Sequence, residues 1–227
     1  MLGDLWSFQG RYRTLHLTWI AFFLTFVVWF NLAPLATTVK ADLGLTVGQI
    51  RTVAICNVAL TIPARVLIGM LLDKFGPRIT YSSILVFSAI PCLLFASAQD
   101  FNQLVVARLL LSIVGAGFVI GIRMVAEWFP PKEIGLAEGI YGGWGNFGSA
   151  FSALTMVAFA GFLSFSGGFE LPTGAVLNWR GAIALTGIVS AVYGLFYFFN
   201  VTDTPPGKTY QRPEKTAGLE VTSMRDF

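Results

Sequence analysis

Six long apolar runs decide what this chain can fold into. They cover positions 15–37, 49–72, 79–98, 102–129, 135–163 and 179–200. An α-helix needs about 20 predominantly apolar residues to cross the hydrocarbon core of a bilayer, and every run is long enough. Charged residues make up 12% of the 227 residues, whereas soluble domains contain about 25%. The sequence therefore predicts an all-α membrane protein with six transmembrane helices, numbered helix 1 to helix 6 in chain order.

The chain divides into three regions by composition. Residues 1–14 are predicted to form an N-terminal tail, and residues 15–200 a single six-helix transmembrane domain. After the sixth run the sequence turns polar and rich in proline, so residues 201–227 are predicted to be a second tail with the composition of a linker. Cys56 and Cys92 fall inside apolar runs, which favours packing roles over a disulfide.

Lysine and arginine are distributed unevenly between the two ends of the predicted helices. The side that carries both tails has most of them: Arg11, Arg13, Lys74, Arg78, Lys132, Lys208, Arg212, Lys215 and Arg225. The opposite side has Lys40, Arg51 and Arg180 near helix ends, and none in positions 98–103 or 164–178. Because short loops rich in lysine and arginine stay in the cytoplasm, the bias predicts a plasma (inner) membrane protein with both termini cytoplasmic.

Arg65 carries a permanent charge deep inside the second apolar run. It lies about nine residues before Lys74, which puts it ~13 Å from the end of that helix. Placing a guanidinium at such depth costs at least ~2.5–3.5 kcal/mol, so it persists where it meets a carboxylate, an anion or water. One explanation is a mobile anion. The other is a structural ion pair, for which Glu127 and Glu138 are the acidic candidates on helices 4 and 5.

Arg65 also belongs to a longer pattern on helix 2. Asn57, Thr61, Arg65, Gly69 and Asp73 recur every four residues, which predicts one slowly drifting helix face. The pattern runs into the turn Gly69-Met70-Leu71-Leu72-Asp73-Lys74-Phe75-Gly76-Pro77-Arg78. This spacing resembles the loop signature of the major facilitator superfamily, where it acts as a conformational latch. The resemblance implies a gating role for Gly69, Asp73, Lys74, Gly76 and Arg78.

Helix 5 contains the glycine-rich run Gly142-Gly143-Trp144-Gly145-Asn146-Phe147-Gly148. Glycine lowers helix propensity, and in membranes the usual compensation is close approach of helices through small residues. Packing accounts for the glycines but not for Asn146, whose amide lies near the middle of the bilayer. Asn146 either bridges two helices or offers its amide hydrogens to an anion, and the residues alone leave both open.

Together these segments resemble the nitrate/nitrite porter family of the major facilitator superfamily, and especially its cyanobacterial and plant-like members. The segments are the helix 5 run, Arg65-Val66-Leu67-Ile68-Gly69, the start Gly10-Arg11-Tyr12-Arg13-Thr14, and Glu127-Trp128-Phe129-Pro130. The resemblance covers essentially the whole chain. It implies the N-terminal half of a twelve-helix fold, built from two inverted three-helix repeats in which helices 2 and 5 correspond. A midplane site at the repeat interface fits that symmetry.

The resemblance also implies roles for individual residues. Arg65 would bind nitrate directly, and Asn146 would be required for transport. Phe118 in helix 4 would form an aromatic wall of the substrate site, with ordinary core packing as the alternative. The nitrate signature would comprise Gly142, Gly143, Trp144, Gly145, Asn146 and Gly148. Arg108 and Arg123 lie nearer the ends of helix 4 and are predicted to be structural, since Arg123 can pair with Glu127 four positions later.

The implied function is transmembrane transport of nitrate or nitrite for nitrate assimilation, by proton symport or by nitrate/nitrite exchange. No cofactor, metal ion or nucleic acid is predicted. Nor is an enzyme, because the sequence offers no nucleophile–base pair and no phosphate-binding loop. Alternating access needs two bodies, so a second six-helix half, in the same or a separate chain, is expected, and this chain is expected to be inactive alone. The alternatives are a transporter of another small anion and a non-transporting, truncated membrane subunit.

Overall fold

The computed structural model describes residues 7–210, which form six long helices and one short hairpin. The helices are helix 1 (Gly10–Asp42), helix 2 (Val47–Phe75), helix 3 (Pro77–Ser97), helix 4 (Phe101–Trp128), helix 5 (Ile134–Ser166) and helix 6 (Trp179–Asn200). Each is long and apolar enough to cross a membrane, which confirms the predicted number and order. Helix 1 begins before the predicted start at position 15. The loop before helix 6 contains an antiparallel pair, β1 (Phe169–Glu170) and β2 (Val176–Leu177).

Three of the helices are interrupted at a proline. Their first segments are Gly10–Phe30 in helix 1, Val47–Ala59 in helix 2 and Pro77–Phe87 in helix 3. Pro34, Pro63 and Pro91 each stand four residues after the end of such a segment. Proline has no backbone donor for the carbonyl four residues earlier, so each first segment ends at the carbonyl that loses its partner. The second segments are Ala36–Asp42, Thr61–Phe75 and Ala89–Ser97, with a 3-10 turn over Ala33–Leu35 in helix 1.

Helix 4 is interrupted without a proline. It consists of Phe101–Ser112, a 3-10 turn over Ile113–Gly117, and Phe118–Trp128. Two glycines in the turn face helix 1 closely: a Cβ on Gly115 would lie 2.7 Å from the Trp29 ring. Helix 5 has one long α-helical segment, Ile134–Phe162, followed by a 3-10 turn over Leu163–Ser166.

The pairing of helices repeats within the bundle. Helix 1 packs mainly on helix 5, helix 2 on helix 4, and helix 3 on helix 6. If helices 1, 2 and 3 are exchanged with helices 4, 5 and 6, the pair of helices 1 and 5 becomes the pair of helices 4 and 2. The pair of helices 3 and 6 maps onto itself. The smaller contacts between helices 1 and 6 and between helices 3 and 4 exchange in the same way. Three helices reverse the direction of the chain, so this is the contact pattern of two inverted three-helix repeats.

Burial differs strongly among the helices. Within their most apolar windows, 56% of helix 4 is buried, but only 22% of helix 2 and 22% of helix 5. Both cysteines are buried and free. The two least buried helices are the ones that carry Arg65 and Asn146, so the predicted site residues lie on the parts of the bundle with the fewest neighbours.

Residues 201–210, named here the strap, fold back over the helix ends on the side of the bundle where helix 1 begins and helix 6 ends. The Asp203 carboxylate accepts a hydrogen bond from the backbone N–H of Arg78 (2.7 Å), and the Tyr210 hydroxyl donates to the Leu72 carbonyl (3.1 Å). The strap therefore connects helix 6 to the start of helix 3 and the end of helix 2. Linker-like composition did not predict these contacts. The rest of the predicted tail, with Arg212, Lys215 and Arg225, lies outside the described residues, as do residues 1–6.

Candidate functional site

The predicted stripe on helix 2 does not have one environment along its length. Asn57 and Thr61 are buried, whereas Arg65 and Asp73 are exposed and Gly69 is intermediate. The Thr61 hydroxyl donates to the backbone of helix 4 at 3.3 Å. The helix is interrupted just before Thr61 because of the downstream proline. The part of the stripe with Asn57 and Thr61 thus belongs to the packing between helices 2 and 4. The part from Arg65 to Asp73 faces outward.

The Arg65 guanidinium has no ion pair or hydrogen bond with any residue in positions 7–210. Glu127 instead pairs with Arg123 at 2.8 Å, which confirms that predicted pair. The Glu138 carboxylate has one buried oxygen without a hydrogen-bond partner in the described chain. Neither acidic candidate for a structural ion pair reaches Arg65, so its charge is uncompensated within this part of the chain.

Asn146 is exposed on helix 5, and its amide nitrogen donates to the Gly142 carbonyl of the same helix at 2.7 Å. A bridge between two helices, one of the two roles considered for Asn146, is not formed among residues 7–210. The side-chain amide oxygen and the second amide hydrogen remain without a protein partner there. Asn146 therefore presents both a donor and an acceptor on the open side of helix 5.

The glycines of the helix 5 run fall into two groups. A Cβ on Gly145 would overlap the Phe22 ring, and a Cβ on Gly148 would overlap the Phe23 carbonyl oxygen. The absence of a side chain at both positions therefore allows helix 1 to pack closely against helix 5. Apart from the backbone of its own helix, a Cβ on Gly142 or Gly143 would have no atom of residues 7–210 within 4 Å. Close packing inside the bundle explains the first group but not the second, which lies on the open side.

Phe118 is joined to the helix 5 run through helix 1. Its ring centroid lies 5.4 Å from that of Phe22 and 6.3 Å from that of Tyr141. The Phe22 ring in turn covers Gly145. The Tyr141 hydroxyl donates to the Phe118 carbonyl at 2.9 Å. Sequence reasoning missed Tyr141, although a tyrosine directly before a glycine-rich run in an apolar helix was a detectable signal.

The structure does not bring all predicted site residues together. Within residues 7–210, no hydrogen bond, ion pair or ring contact links Arg65 to Asn146 or to Phe118. Helix 2 packs on helix 4 and helix 5 on helix 1. A guanidinium and an amide thus stand on the open parts of two different helices, where a small anion could meet either one.

The loop between helices 2 and 3 is held in place by two of its five predicted gating residues. Gly76 turns the chain with φ +82°, and a Cβ there would lie 2.7 Å from an Asp203 carboxylate oxygen. The Arg78 Nε donates to the Phe198 carbonyl at 2.8 Å, and its guanidinium stacks on the Phe198 ring at 4.3 Å. Burial raises the pKa of the Asp203 carboxyl above its usual value, opposed by the hydrogen bond and charge of Arg78.

The other three residues of this motif are not fixed within the bundle. Asp73 and Lys74 are exposed, and a Cβ on Gly69 would have no neighbour within 4 Å. The Lys74 ammonium lies over the Phe75 ring at 5.1 Å. Asp73 forms no ion pair with residues 7–210. The motif therefore has an anchored part, at Gly76 and Arg78, and a part that presents charges outward.

Arg108 lies fully inside the bundle at the interruption of helix 1. Its guanidinium donates to the Asn31 side-chain oxygen at 2.9 Å and to the Trp29 carbonyl at 3.0 Å. The Asn31 amide donates onward to the Thr186 hydroxyl at 3.0 Å. Helices 1, 4 and 6 are thereby connected by one buried polar network, in agreement with the structural role predicted for Arg108.

The six-helix fold and the loop motif together define a class of membrane protein. The chain belongs to the major facilitator superfamily, whose family model, described as Major Facilitator Superfamily, matches residues 18–227. A bacterial homolog of the human lysosomal transporter Spinster, solved in an inward-facing and unoccupied conformation, has the same fold. Its TM-score is 0.65 at 20% identity, and the match covers 92% of this chain and 47% of that one.

Relatives at higher identity narrow the family further. The chain is 63% identical to the nitrate/nitrite transporter NrtP of Picosynechococcus sp., over 100% of this chain and 45% of the relative. It is 60% identical to NrtP of Nostoc punctiforme, over 100% of this chain and 44% of the relative. The chain thus spans about half the length of these curated relatives and aligns with their N-terminal half. The predicted resemblance to nitrate/nitrite porters is confirmed.

Proposed function

We propose that the six helices form the first half of a transporter that moves nitrate or nitrite across the membrane. The observation that carries this proposal is Arg65, an exposed guanidinium within an apolar helix that has no counter-ion among residues 7–210. A charge in that position is retained when it serves a substrate or ion pathway. The two NrtP relatives are nitrate/nitrite transporters by name, which supplies the chemical class of the anion.

The proposed chemistry is reversible binding without any bond being made or broken, so the protein is not an enzyme. Nitrate is a planar monovalent oxyanion, and a guanidinium offers it charge together with directed hydrogen bonds in one plane. The free amide hydrogen of Asn146 would add a neutral donor. The half-buried ring of Phe118 would supply an apolar wall, which disfavours strongly hydrated ions because they lose their water there.

The second half is proposed to close on the open side of helices 2 and 5. Gly135, Gly139 and Gly143 stand four residues apart on helix 5, and in the described part of the chain a Cβ on any of them would have no neighbour within 4 Å. They line an open groove of about 670 Å³ together with Trp144 and Phe147. Small residues allow another helix to approach closely in a membrane. Since alternating access needs two bodies that move against each other, the six-helix unit is expected to be inactive alone.

The strap side of the bundle is proposed to face the cytoplasm of a plasma (inner) membrane. The excess of lysine and arginine on that side supports this orientation. Asp73 and Lys74 are exposed there, so they are available to the second half as the outward part of the latch, while Gly76 and Arg78 anchor the loop to this half. Uptake would be driven by proton symport or by exchange of nitrate for nitrite.

Uptake of isotope-labelled nitrate by cells that lack their own porters tests this proposal. The chain is produced alone and, in parallel, together with a second half as a separate chain. We expect uptake only in the second case, with competition by excess nitrite. An imposed proton gradient separates the coupling modes, because it drives symport in nitrite-free vesicles whereas exchange requires internal nitrite.

Two results would refute the proposal. Competition by another small anion but not by nitrite would assign the transporter to that anion. No uptake with both chains present in the membrane would leave a non-transporting membrane subunit.

A further inference from the structure

We infer that Tyr141 is a positioning residue that holds Phe118 in place, an inference that rests on the proposed nitrate path for its effect on transport. Tyr141 is fully buried. Its hydroxyl donates to the Phe118 carbonyl at 2.9 Å and lies 3.3 Å from the hydroxyl of Tyr81 on helix 3. One side chain of helix 5 is thereby bonded to helix 4 at the residue predicted to wall the substrate.

The Phe118 carbonyl oxygen, which accepts the hydrogen bond from Tyr141, lies at the joint in helix 4 between its 3-10 turn and its second α-helical segment. The 3-10 turn over Ile113–Gly117 passes into the α-helix at Phe118. Hydrogen bonds of a 3-10 turn have poorer geometry than those of an α-helix, and such turns within a helix often mark hinges. A directed bond from outside the helix limits how the backbone at Phe118 can shift, and with it the direction of the Phe118 ring.

Ring packing reinforces the hydrogen bond. The Tyr141 ring stacks on Phe22 at 4.9 Å with an interplanar angle of 27°, and is nearly parallel to the Phe118 ring at 17°. Helix 4 makes room for Tyr141, since a Cβ on Gly121 would overlap its ring. The contacts run from Gly145 through Phe22 and Tyr141 to Phe118, so they connect the helix 5 signature to the predicted substrate wall.

Ordinary core packing does not account for the hydroxyl. A phenylalanine would fill nearly the same volume without a polar group to bury, and a buried hydroxyl costs free energy unless it is bonded. What the hydroxyl adds is a bond of fixed direction to the Phe118 backbone, together with a longer contact to the Tyr81 hydroxyl. A change that removes only this oxygen should therefore alter the recognition of substrate more than the amount of folded protein.

Tyr141→Phe, compared with Tyr193→Phe, separates positioning from general packing. Tyr193 also donates its hydroxyl to a backbone carbonyl between two helices, that of Leu17 at 2.8 Å. Within residues 7–210, no hydrogen bond or ring contact links Tyr193 to Phe118. Both variants are produced in the complete two-half assembly. We expect Tyr141→Phe to raise the KM for nitrate roughly two- to tenfold, the range of one neutral hydrogen bond, and to change the ratio of nitrate to nitrite KM. Maximal rate per inserted transporter should stay near the parent value.

Coupling to Phe118 gives a second, sharper readout. If Tyr141 acts through Phe118, then Tyr141→Phe should have little further effect on KM in a Phe118→Leu background, because changes in one pathway are not additive. Equal KM changes in Tyr141→Phe and Tyr193→Phe, or full additivity with Phe118→Leu, would overturn the inference.

A third measurement does not depend on transport. Thiol labelling of Phe118→Cys, with Cys56 and Cys92 replaced by alanine, reports the position of the backbone at this joint. The labelling rate should change in the Tyr141→Phe background and not in the Tyr193→Phe background. An unchanged rate in both would refute the positioning of residue 118. A changed rate, together with no nitrate uptake by the unmodified two-half assembly, would retain it and reject the proposed function.

Discussion

Arg65 and Arg108 place the same guanidinium in two opposite environments of one bundle. Arg108 is enclosed and donates to two oxygens of helix 1. Arg65 is exposed and meets no acceptor in residues 7–210. The buried charge of Arg108 is explained by the structure around it, because the guanidinium donates hydrogen bonds to a carbonyl oxygen and an amide oxygen where helix 1 is interrupted. The second charge has no partner among the described residues, which supports the proposal that Arg65 serves an anion.

The glycines of helix 5 show the same contrast at closer range. Gly145 and Gly148 have helix 1 against them, whereas Gly139 and Gly143 have open space. Residue type alone does not distinguish the packed side from the open side. The contrast predicts that changes on the packed side alter folding of the six-helix unit, and that changes on the open side alter transport or association while folding stays intact.

The largest effect is expected at Arg108. Arg108→Ala removes the donor for Asn31 and Trp29 and leaves a cavity, which should lower the free energy of unfolding by about 2–5 kcal/mol. Thermal unfolding of the detergent-solubilised protein measures it. Arg123→Ala is the control, because its ion pair with Glu127 is partly exposed and such pairs contribute about 1 kcal/mol or less. Equal losses in the two variants would mean that the buried network around Arg108 stabilises the bundle no more than a partly exposed ion pair does.

Arg65→Lys tests the open side. Lysine keeps the charge but lacks the planar fork, so the KM for nitrate in the complete assembly should rise roughly tenfold or more, the range for hydrogen bonds to charged groups. The unfolding temperature should equal that of the parent protein. Unchanged nitrate affinity would refute Arg65 as a ligand, and a large drop in unfolding temperature would mean that Arg65 is structural like Arg108.

Two glycines on the same helix sharpen the comparison. Gly145→Ala pushes a methyl group into the Phe22 ring, and such overpacking typically costs about 1–3 kcal/mol. Gly143→Ala meets no neighbour and should leave the stability of this chain within about 0.5 kcal/mol. Unfolding of the chain alone measures both. We expect Gly143→Ala instead to weaken copurification with the second half, and unaffected copurification would contradict a helix seated on that groove.

The smallest effect is expected at Asn146. Asn146→Ala removes one neutral donor and should raise the KM for nitrate roughly two- to tenfold with normal insertion. Ser149→Ala is matched to it, since the Ser149 hydroxyl also bonds only within helix 5, to the Asn146 carbonyl at 2.8 Å. Uptake by both variants, normalised to protein in the membrane, gives the comparison. If Asn146→Ala fails to accumulate, its role is packing.

Much of the fold follows from properties that single segments carry. Apolar length predicted all six helices, and the missing donor of a proline accounts for the interruptions of helices 1, 2 and 3. The Arg123–Glu127 pair was predictable because residues four apart face each other on one helix. The family was predictable too, since its motifs are short contiguous segments that can be recognised directly in the sequence.

Which side of a segment faces the bundle was decided by the tertiary structure. Nothing in the sequence separates Gly145 from Gly143, or Thr61 from Arg65 along one stripe, because their environments depend on which helix packs there. The same holds for Asp203, which bonds to Arg78 far away in the chain, and for Tyr141, whose role appears only once helix 4 lies beside it. The sequence by itself determined six membrane helices and located a charge, Arg65, for which a mobile anion and a structural ion pair were both open as partners. The tertiary structure decided which polar groups are satisfied within this half and which remain open, because burial is a property of neighbours and not of the residue.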